Sequence, residues 1–311
     1  MTPLPDPPAD LGLVRDEPMS RHTYMRLGGP AAYFGIPETL EDLDRMVAWA
    51  RESRVPVRVA GGGSNVLIAD AGVRALVLSL RRCCGTVVFD DEACEVAAGA
   101  GVMLPGLARQ AAERGFAGLE FAIGIPGSVG GALQTNAGIG DGRCIGDLVR
   151  SVEVLRDGRR VTLDGPHEVT FEYRTTSLRG SGDVVLGARL VLQRGERAAI
   201  EAEMRRLLEA RQASQPTSEP NAGSVFRNPP GDHAGRLIEA AGCKGLRVGG
   251  AQVSTLHANF IVQDGTATTK DVTDLMAEVR RRVAAQFAVT LIPEIEWWGE
   301  DSEAERPKAF R

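Results

Sequence analysis

Two glycine-rich stretches constrain the fold of this sequence more than any other feature. The first, Gly61-Gly62-Gly63-Ser64-Asn65, lies between a run that alternates like a strand, residues 55–60, and a second apolar run, residues 66–68. Consecutive residues without a β-carbon expose successive main-chain N–H groups, and the hydroxyl and amide that follow add donors, so the stretch can surround a pyrophosphate. A tight turn between two strands uses the same residue types. This loop alone leaves both interpretations open.

A second glycine-rich stretch, residues 124–138, favours the nucleotide interpretation, because two such loops are typical of a protein that binds a large nucleotide cofactor. Neither loop has the Gly-x-Gly-x-x-Gly spacing of a Rossmann domain, since Val66 stands at the third glycine position of the first loop. No Gly-Lys pair occurs that could serve a P-loop. The spacing therefore argues against a Rossmann NAD domain and against a P-loop kinase.

The periodicity of apolar residues predicts alternating strands and helices. Thr39 and Asp42 form a capping-box pattern, which predicts a helix over Leu40–Glu52. Asp157-Gly158 between two strand-like runs predicts a β-hairpin, and residues 121–138 are predicted to form one long loop. Other predicted strands cover residues 95–98, 184–192, 258–262 and 289–298, and other predicted helices cover residues 104–114, 234–241 and 271–287.

These elements predict an α/β or α+β fold in four segments. Residues 1–20, which begin with a proline-rich acidic run, are expected to form a loose tail, and residues 21–81 and 82–195 to form two subdomains. A charged helical stripe ending at Arg211 marks a boundary region, so residues 196–311 are predicted to form a further α/β domain.

Composition excludes several classes of protein. The 41 acidic and 36 basic side chains give a net charge of -5, which provides no basic surface for nucleic acid or for an anionic membrane. The five cysteines show no Cys-x-x-Cys spacing, so neither a zinc site nor a disulfide framework is expected. No signal peptide and no bilayer-spanning segment is recognisable, and we expect a cytoplasmic protein with reduced thiols.

Separate blocks of the sequence carry a resemblance to a known enzyme family. The blocks are Gly61 to Asn65, Leu119 to Gly138, Phe171-Glu172-Tyr173-Arg174, Asn221 to Pro229 with Gly235 to Gly242, Gly249 to Ser254 with His257 to Phe260, and Pro293-Glu294. In this order and spacing they resemble the UDP-N-acetylenolpyruvoylglucosamine reductases. The resemblance implies a two-subdomain FAD-binding domain of the vanillyl-alcohol-oxidase type, followed by a C-terminal α/β substrate-binding domain.

The resemblance also implies a reaction and assigns residues to it. In this family NADPH reduces FAD, hydride passes from flavin N5 to the enolpyruvyl ether of UDP-N-acetylglucosamine enolpyruvate, and UDP-N-acetylmuramate forms for peptidoglycan synthesis. Arg174 would bind the substrate carboxylate, Glu294 would share a proton with the developing enol, and Ser224 would protonate the adjacent carbon. Glu294 and Glu296 stand two apart on a predicted strand, so the residue pattern leaves open which carboxylate acts.

Further residues are assigned to binding by the same resemblance. The expected flavin-binding residues are Gly61, Gly62, Gly63, Ser64, Asn65, Gly124, Ile125, Pro126, Gly127, Ser128, Gly130, Gly131, Asn136, Ala137 and Gly138. The expected substrate-binding residues are Tyr173, Arg227, Asn228 and Lys244, although Tyr173 could simply pack and Lys244 could cap a helix. The four histidines lie outside both loops, which predicts a non-covalent flavin, and no catalytic metal is expected.

Three further expectations complete the prediction. The short chain between Tyr173 and Leu192 leaves no room for the inserted substrate-covering loop of one branch of the family, so this sequence resembles the other branch. The protein is expected to be a monomer that binds neither nucleic acid nor membrane. The alternatives are another FAD-linked oxidoreductase of the same fold and a non-catalytic sensor of flavin or nucleotide sugar.

Overall fold

The computed structural model describes residues 4–299 and 306–311. The strands are β1 Val14–Pro18, β2 Pro30–Gly35, β3 Val57–Val59, β4 Val66–Ile68, β5 Val73–Leu78, β6 Val87–Asp90, β7 Glu95–Gly99, β8 Phe116–Ala117, β9 Val149–Arg156, β10 Arg159–Asp164, β11 Phe171–Glu172, β12 Thr175–Thr176, β13 Val184–Val191, β14 Gln193–Arg194, β15 Asn221–Ser224, β16 Arg247–Val248, β17 Ala251–Val253, β18 Phe260–Gln263 and β19 Glu296–Trp298. The helices are α1 Leu40–Glu52, α2 Leu104–Glu113, α3 Val129–Thr135, α4 Gly165–Glu168, α5 Arg197–Ser214, α6 Ala234–Ala240 and α7 Thr269–Phe287.

The chain divides into two compact units, each of which contains separate stretches of sequence. The first unit consists of Met1–Val14, Phe34–Gly62 and Leu76–Arg211, and the second of Arg15–Tyr33, Gly63–Ala75 and Gln212–Arg311. Within residues 1–20, the predicted loose tail, the structure forms a short 3-10 turn at Ala9–Leu11 and then β1. The four-segment division predicted above stays a prediction.

A five-stranded antiparallel sheet forms the centre of the first unit, in the order β10-β9-β13-β7-β6. The predicted hairpin between β9 and β10 is confirmed, and Asp157 and Gly158 both have positive φ, of 50° and 76°, as a type I′ turn requires. Helix α3 packs on β7 and β13. Val96, Leu133 and Leu190 of these elements are fully buried.

Within the first unit, β3 runs parallel to β5, with Val57 opposite Leu76. Helix α1 has the predicted bounds. Its capping box is present: Asp42 N donates to Thr39 Oγ1 at 3.1 Å, and Thr39 N donates to the Asp42 carboxylate at 3.2 Å. The start of a helix leaves main-chain N–H groups without partners, and a capping box satisfies two such donors.

The second unit contains an antiparallel sheet in the order β15-β18-β17-β16, with α7 packed on β16, β17 and α6. A hydrophobic core that includes Phe226, Leu237 and Met276 lies among these elements. A separate parallel pair joins β19 to β4, with Trp297 opposite Leu67. Among the described residues, no helix has both the length and the apolar character needed to cross a bilayer.

Two predicted elements are wrong in extent. Residues 121–138 are not one loop, because a 3-10 turn, Glu120–Gly124, and helix α3 lie within them. Ser128 starts α3 by accepting from Gly131 N at 3.4 Å, a cap that the glycine-rich composition concealed. The strand predicted over residues 289–298 is limited to β19, because Pro293 has no N–H to donate and makes only an isolated bridge to Phe226.

Candidate active site

The first half of loop Gly61 to Asn65 lies against the second glycine-rich stretch, within the first unit. A β-carbon on Gly61 would lie 2.4 Å from Ser128 Oγ, and one on Gly62 would lie 3.0 Å from Gly127 Cα. Real β-carbons do not approach other atoms at 2.4 Å, so Gly61 tolerates no side chain while Ser128 stays in place. The Ser128 hydroxyl at Gly61 and the Gly127 backbone at Gly62 therefore explain these two glycines.

The second half of the same loop belongs to the second unit and is equally tight. Gly63 has a φ of 64°, and a β-carbon on it would lie 2.0 Å from the carbonyl oxygen of His22. Within the described part of the chain, the N–H groups of Gly61, Gly62 and Gly63 donate to no protein acceptor. Three successive available donors are what an anionic pyrophosphate requires, so these residues fit the cofactor that the resemblance implies.

The second glycine-rich stretch folds around α3. Gly130 packs against Ala100, where an added β-carbon would lie 2.9 Å from the Ala100 side chain, and Gly138 lies close to the carbonyl of Arg143. Ala137 N donates to Ala132 O at 2.9 Å, which closes the helix after Asn136 in its left-handed conformation. The remaining predicted flavin-binding residues of this stretch, Gly124, Ile125, Pro126, Gly127 and Gly131, lie on the 3-10 turn, the segment after it and the first turn of α3.

Arg174 lies at the tip of a very short hairpin in the first unit. Strands β11 and β12 pair Glu172 with Thr175, so Tyr173 and Arg174 form a two-residue turn. Arg174 has a φ of 58°, in the left-handed region where glycine or asparagine normally stands, and such strain is often retained at functional positions. Its guanidinium carbon lies 5.4 Å from the centre of the Tyr173 ring, and Tyr173 is 55% exposed. The half-buried arginine thus stands beside an exposed aromatic ring.

Ser224 and Glu294 lie on neighbouring segments of the second unit. Ser224 ends β15 and is paired with Phe260 of β18. The next residue, Val225, accepts a hydrogen bond of 2.8 Å from Glu294 N. The main chain therefore places the serine and the glutamate side by side, although 70 positions of sequence separate them.

Asn65 joins the first glycine-rich loop to the segment that carries Glu294. Its side-chain amide donates to the carbonyl oxygen of Glu294 at 3.4 Å, and its own carbonyl accepts from Glu296 N at 3.0 Å. A β-carbon on Gly223 would lie 3.9 Å from Ser64 O. Four predicted residues, Ser64, Asn65, Ser224 and Glu294, are thereby brought together within one unit.

Sequence reasoning missed Asn259, which supports this arrangement. The side chain is 4% exposed and bonds both main-chain groups of one residue: Phe226 N donates to its Oδ1 at 3.0 Å, and its Nδ2 donates to Phe226 O at 2.8 Å. Its carbonyl also accepts from Val225 N at 2.8 Å. The only signal in the sequence was its place in the His257 to Phe260 block.

Two predicted substrate-binding residues have protein partners. Asn228 Oδ1 accepts from Ala234 N at 3.0 Å and so caps α6, and Lys244 Nζ forms an ion pair of 3.0 Å with Glu239. Arg227 N donates to Ile292 O at 2.9 Å, which extends the segment next to Glu294. The roles of these three residues and of Tyr173 in binding substrate stay predictions.

His257 is a structural residue in this arrangement. Its Nδ1 accepts from Asn259 N at 3.2 Å, and its ring packs edge-on against Phe260. Burial lowers the pKa of His257 below its ordinary value, which keeps the ring neutral and able to accept that bond. In the part of the chain that the structure describes, no group of three or more His, Cys, Asp or Glu side chains could hold a metal ion.

Comparison with known proteins covers both parts of the chain. Residues 31–164 match the family model described as an FAD binding domain, and residues 215–298 match that of the UDP-N-acetylenolpyruvoylglucosamine reductase C-terminal domain. A UDP-N-acetylenolpyruvoylglucosamine reductase of Moorella thermoacetica is 48% identical over 291 residues, 93% of this chain and 94% of the relative. A second relative of that name, from Symbiobacterium thermophilum, is 47% identical and covers 92% of both chains.

A solved structure agrees with these relatives. The crystal structure of the UDP-N-acetylenolpyruvylglucosamine reductase from Thermus caldophilus superposes with a TM-score of 0.78 at 38% identity, over 92% of this chain and 98% of that one. The short connection predicted before Leu192 is also present, since residues 177–183 alone join β12 to β13. That length leaves no room for an inserted loop there.

Proposed function

The chain belongs to the UDP-N-acetylenolpyruvoylglucosamine reductase family, and we propose that Arg174, Ser224 and Glu294 carry out the reaction of that family in this protein. The protein is an FAD-dependent oxidoreductase of peptidoglycan precursor synthesis, with NADPH as reductant and UDP-N-acetylglucosamine enolpyruvate as substrate. The observation that supports the residue assignment is the main-chain bond between Glu294 and Val225, which places Glu294 beside Ser224.

The cofactor is held by the two glycine-rich stretches. The available N–H groups of Gly61 to Gly63 would donate to the pyrophosphate of FAD, and the flavin would be held without a covalent link to the protein. When bound, FAD supplies the hydride that NADPH provides to the methylene carbon of the enolpyruvyl ether. The protein's own part is to bind, orient and protonate the substrate.

Arg174 binds the substrate carboxylate. A guanidinium offers two parallel N–H donors to a carboxylate, and charge that develops on the carboxylate side during the reaction strengthens this pairing. The left-handed main chain at Arg174 fixes where the side chain leaves the hairpin. Tyr173 packs on the guanidinium and limits its freedom.

Ser224 donates the proton to carbon. A serine hydroxyl is a weak acid, so a neighbouring group must support its loss of a proton. Glu294 lies on the adjoining segment and shares a proton with the enol oxygen of the substrate. Together with Arg174, these groups allow charge to form on the substrate and then remove it.

The domain division and the cellular setting complete the proposal. Residues 21–81 and 82–195 form the two FAD-binding subdomains and residues 196–311 the substrate-binding domain, in keeping with the two family models at residues 31–164 and 215–298. Arg227, Asn228 and Lys244 contribute to binding the UDP part. The protein acts in the cytoplasm as a monomer, apart from membranes and nucleic acid, and its five free cysteines suit a reducing compartment.

An anaerobic titration tests the function. The purified protein is expected to show an oxidised flavin spectrum, to lose it on addition of NADPH, and to recover it on addition of UDP-N-acetylglucosamine enolpyruvate. A protein whose reduced flavin is not reoxidised by this substrate, but whose oxidised flavin is reduced by a different substrate and then reoxidised by oxygen, would instead be a flavin oxidase of related fold. A protein without any flavin spectrum would point to the sensor alternative.

A further inference from the structure

Asn136 lies at the end of α3, within the second glycine-rich stretch. It has a φ of 45° and is 7% exposed. Asparagine tolerates this left-handed conformation better than most residues with a side chain, and glycine tolerates it better still. The backbone therefore explains why the residue is small and polar, but it does not explain why asparagine stands here instead of glycine.

The two ends of the Asn136 carboxamide bond to two different main-chain segments of the first unit. Its Nδ2 donates to the carbonyl oxygen of Glu172 at 3.1 Å, and its Oδ1 accepts from Gly146 N at 3.0 Å. A β-carbon on Gly146 would lie 2.8 Å from Asn136 Oδ1 and 2.7 Å from the Phe171 ring, so residue 146 must lack a side chain for this contact to form. Each end of the carboxamide thus has a main-chain partner inside the first unit.

Glu172 is the residue directly before the Tyr173–Arg174 turn. Strands β11 and β12 form two residue pairs, Phe171 with Thr176 and Glu172 with Thr175, and Ser177 N extends the hairpin by donating to Thr170 O at 3.0 Å. Isolated hairpins this short are marginal in water. Its tip must also keep Arg174 in a strained conformation. The hairpin therefore needs support from outside itself.

Residues at the end of α3 supply that support, because they form hydrogen bonds to both strands of the hairpin. Asn136 holds β11 through Glu172 O, and Thr176 of β12 donates from Oγ1 to Gln134 O at 3.3 Å. The two ties attach at equal distances from Arg174, two residues before it and two residues after it, and both side chains are buried. Asn136 differs in that it also bonds a third segment, through Gly146 N. A buried hydrogen bond of this type fixes the position of its acceptor more firmly than one open to water.

We propose that Asn136 is a positioning residue that connects the second glycine-rich stretch to the arginine hairpin and sets the place of the Arg174 guanidinium. This inference rests on the proposed role of Arg174 in binding the substrate carboxylate. Asn136 acts through the main chain of Glu172 and does not itself touch substrate. Loss of its donor releases the hairpin tip, and a displacement of about 1 Å in a group that orients a substrate can cost on the order of 100-fold in rate.

Two substitutions separate this role from backbone effects. Asn136→Gly keeps the left-handed conformation and removes both hydrogen bonds. Asn136→Asp keeps an acceptor for Gly146 N but places a carboxylate oxygen, which cannot donate, opposite Glu172 O. Asp157→Gly, at the exposed turn between β9 and β10, is the matched control, because it also introduces a glycine at a position of positive φ in the same unit.

The experiment measures the two half-reactions by anaerobic stopped flow in each variant. Because the Asn136 side chain bonds Glu172 O and Gly146 N, its expected part in flavin binding is assigned to its main chain, which both substitutions keep. Asn136→Gly and Asn136→Asp are therefore expected to bind flavin and to be reduced by NADPH at rates within about 3-fold of the parent, while reoxidation by the enolpyruvyl substrate slows by ~10- to 100-fold. The control is expected to change neither half-reaction. If Asn136→Gly does not fold, the nearly isosteric Asn136→Asp still gives the comparison.

A double-mutant cycle then shows whether the effect passes through Arg174. With Arg174→Ala already present, Asn136→Gly is expected to slow reoxidation by less than about 2-fold more. Full additivity, equal slowing of both half-reactions, or normal reoxidation in both Asn136 variants would overturn the positioning role. If the flavin of Arg174→Ala is reoxidised at the normal rate, the proposed role of Arg174 in binding the substrate carboxylate is wrong. That result differs from one in which only the Asn136 variants behave normally, which would contradict the positioning role of Asn136 alone.

Discussion

The indole N–H of Trp298 donates a hydrogen bond of 2.9 Å to the carboxylate of Glu296. Both residues lie on β19, and their spacing of two places them on the same face of the strand. Glu294 stands before β19 begins, on the segment that bonds to Val225. The two carboxylates that the sequence could not separate therefore differ in setting, and the one beside Ser224 is Glu294.

Substitution of the two glutamates is expected to give unequal results. Glu294→Gln should slow reoxidation by substrate by ~100- to 1000-fold, the usual cost of removing one group that stabilises developing charge. Glu296→Gln should change it by only a few-fold, since an amide oxygen can still accept from the Trp298 indole. Single-turnover kinetics with prereduced enzyme measure both. A larger loss with Glu296→Gln than with Glu294→Gln would reverse the assignment.

Ser224→Ala is expected to slow one half-reaction and to leave the other unchanged. Reduction by NADPH should be unchanged, whereas turnover of the enolpyruvyl substrate should fall by ~100- to 10,000-fold, the typical contribution of a positioned proton donor. Ser181→Ala serves as the control, because Ser181 lies in the 177–183 connection and its hydroxyl bonds only to neighbouring residues. Equal loss in both half-reactions would indicate that Ser224 supports the fold and does not donate a proton.

Arg174→Lys tests the need for a planar cation. The substitution keeps the charge and the strained main chain at this position, so the change lies in the head group. A lysine ammonium cannot form two parallel bonds to one carboxylate, and we expect a loss on the order of 100-fold in the substrate half-reaction. Stopped-flow reoxidation at several substrate concentrations separates weaker binding from slower reaction. A rate within about 2-fold of the parent would show that charge alone is sufficient.

Local patterns in the sequence predicted much of the fold. The capping box at Thr39 gave the bounds of α1, and Asp157-Gly158 gave the β9–β10 hairpin, because the information for both lies within a few residues. Helix α3 was missed because glycines dominate its first turn, and the helix is stabilised by packing on β7 and β13. That packing is not encoded in local periodicity.

The site was predictable as a set of residues but not as a geometry. Ser224 and Glu294 could be named from the resemblance, yet their adjacency depends on a main-chain bond between segments far apart in sequence. The hydrogen bonds of Asn259 to Phe226 and of Trp298 to Glu296 were not predicted. No sequence pattern distinguishes a buried amide or indole of this kind from an ordinary core residue. The strained conformation at Arg174 also depends on the pairing of β11 with β12.

Asn259 is expected to contribute strongly to stability. Asn259→Ala would leave Phe226 N–H and C=O without partners in a buried place, at a cost of about 2 to 4 kcal/mol in the free energy of unfolding. Asn259→Asp keeps the acceptor for Phe226 N but sets a buried carboxylate oxygen against Phe226 O, so it should cost at least as much as the alanine variant. Urea unfolding followed by circular dichroism provides both values. A cost below about 0.5 kcal/mol for Asn259→Ala would show that water replaces the lost bonds.

Acid sensitivity near neutral pH is expected to come partly from His257. Its pKa is lowered by burial in the folded protein, whereas the unfolded chain keeps the ordinary value of 6.5, so the unfolded state takes up protons first as the pH falls. The contribution of neutral His257 to stability is therefore complete above pH 6.5 and is lost progressively below it, until the folded-state pKa is reached. The charge of Lys244 also lowers the pKa of His257, and the charge of Glu239 opposes this.

Thermal melts of the parent and of His257→Gln between pH 5 and 8 should converge or cross on the acid side, because glutamine does not titrate. The exposed His167→Gln should leave the pH profile of the parent unchanged, and a His257→Gln profile parallel to that of the parent would show that His257 does not govern the acid response.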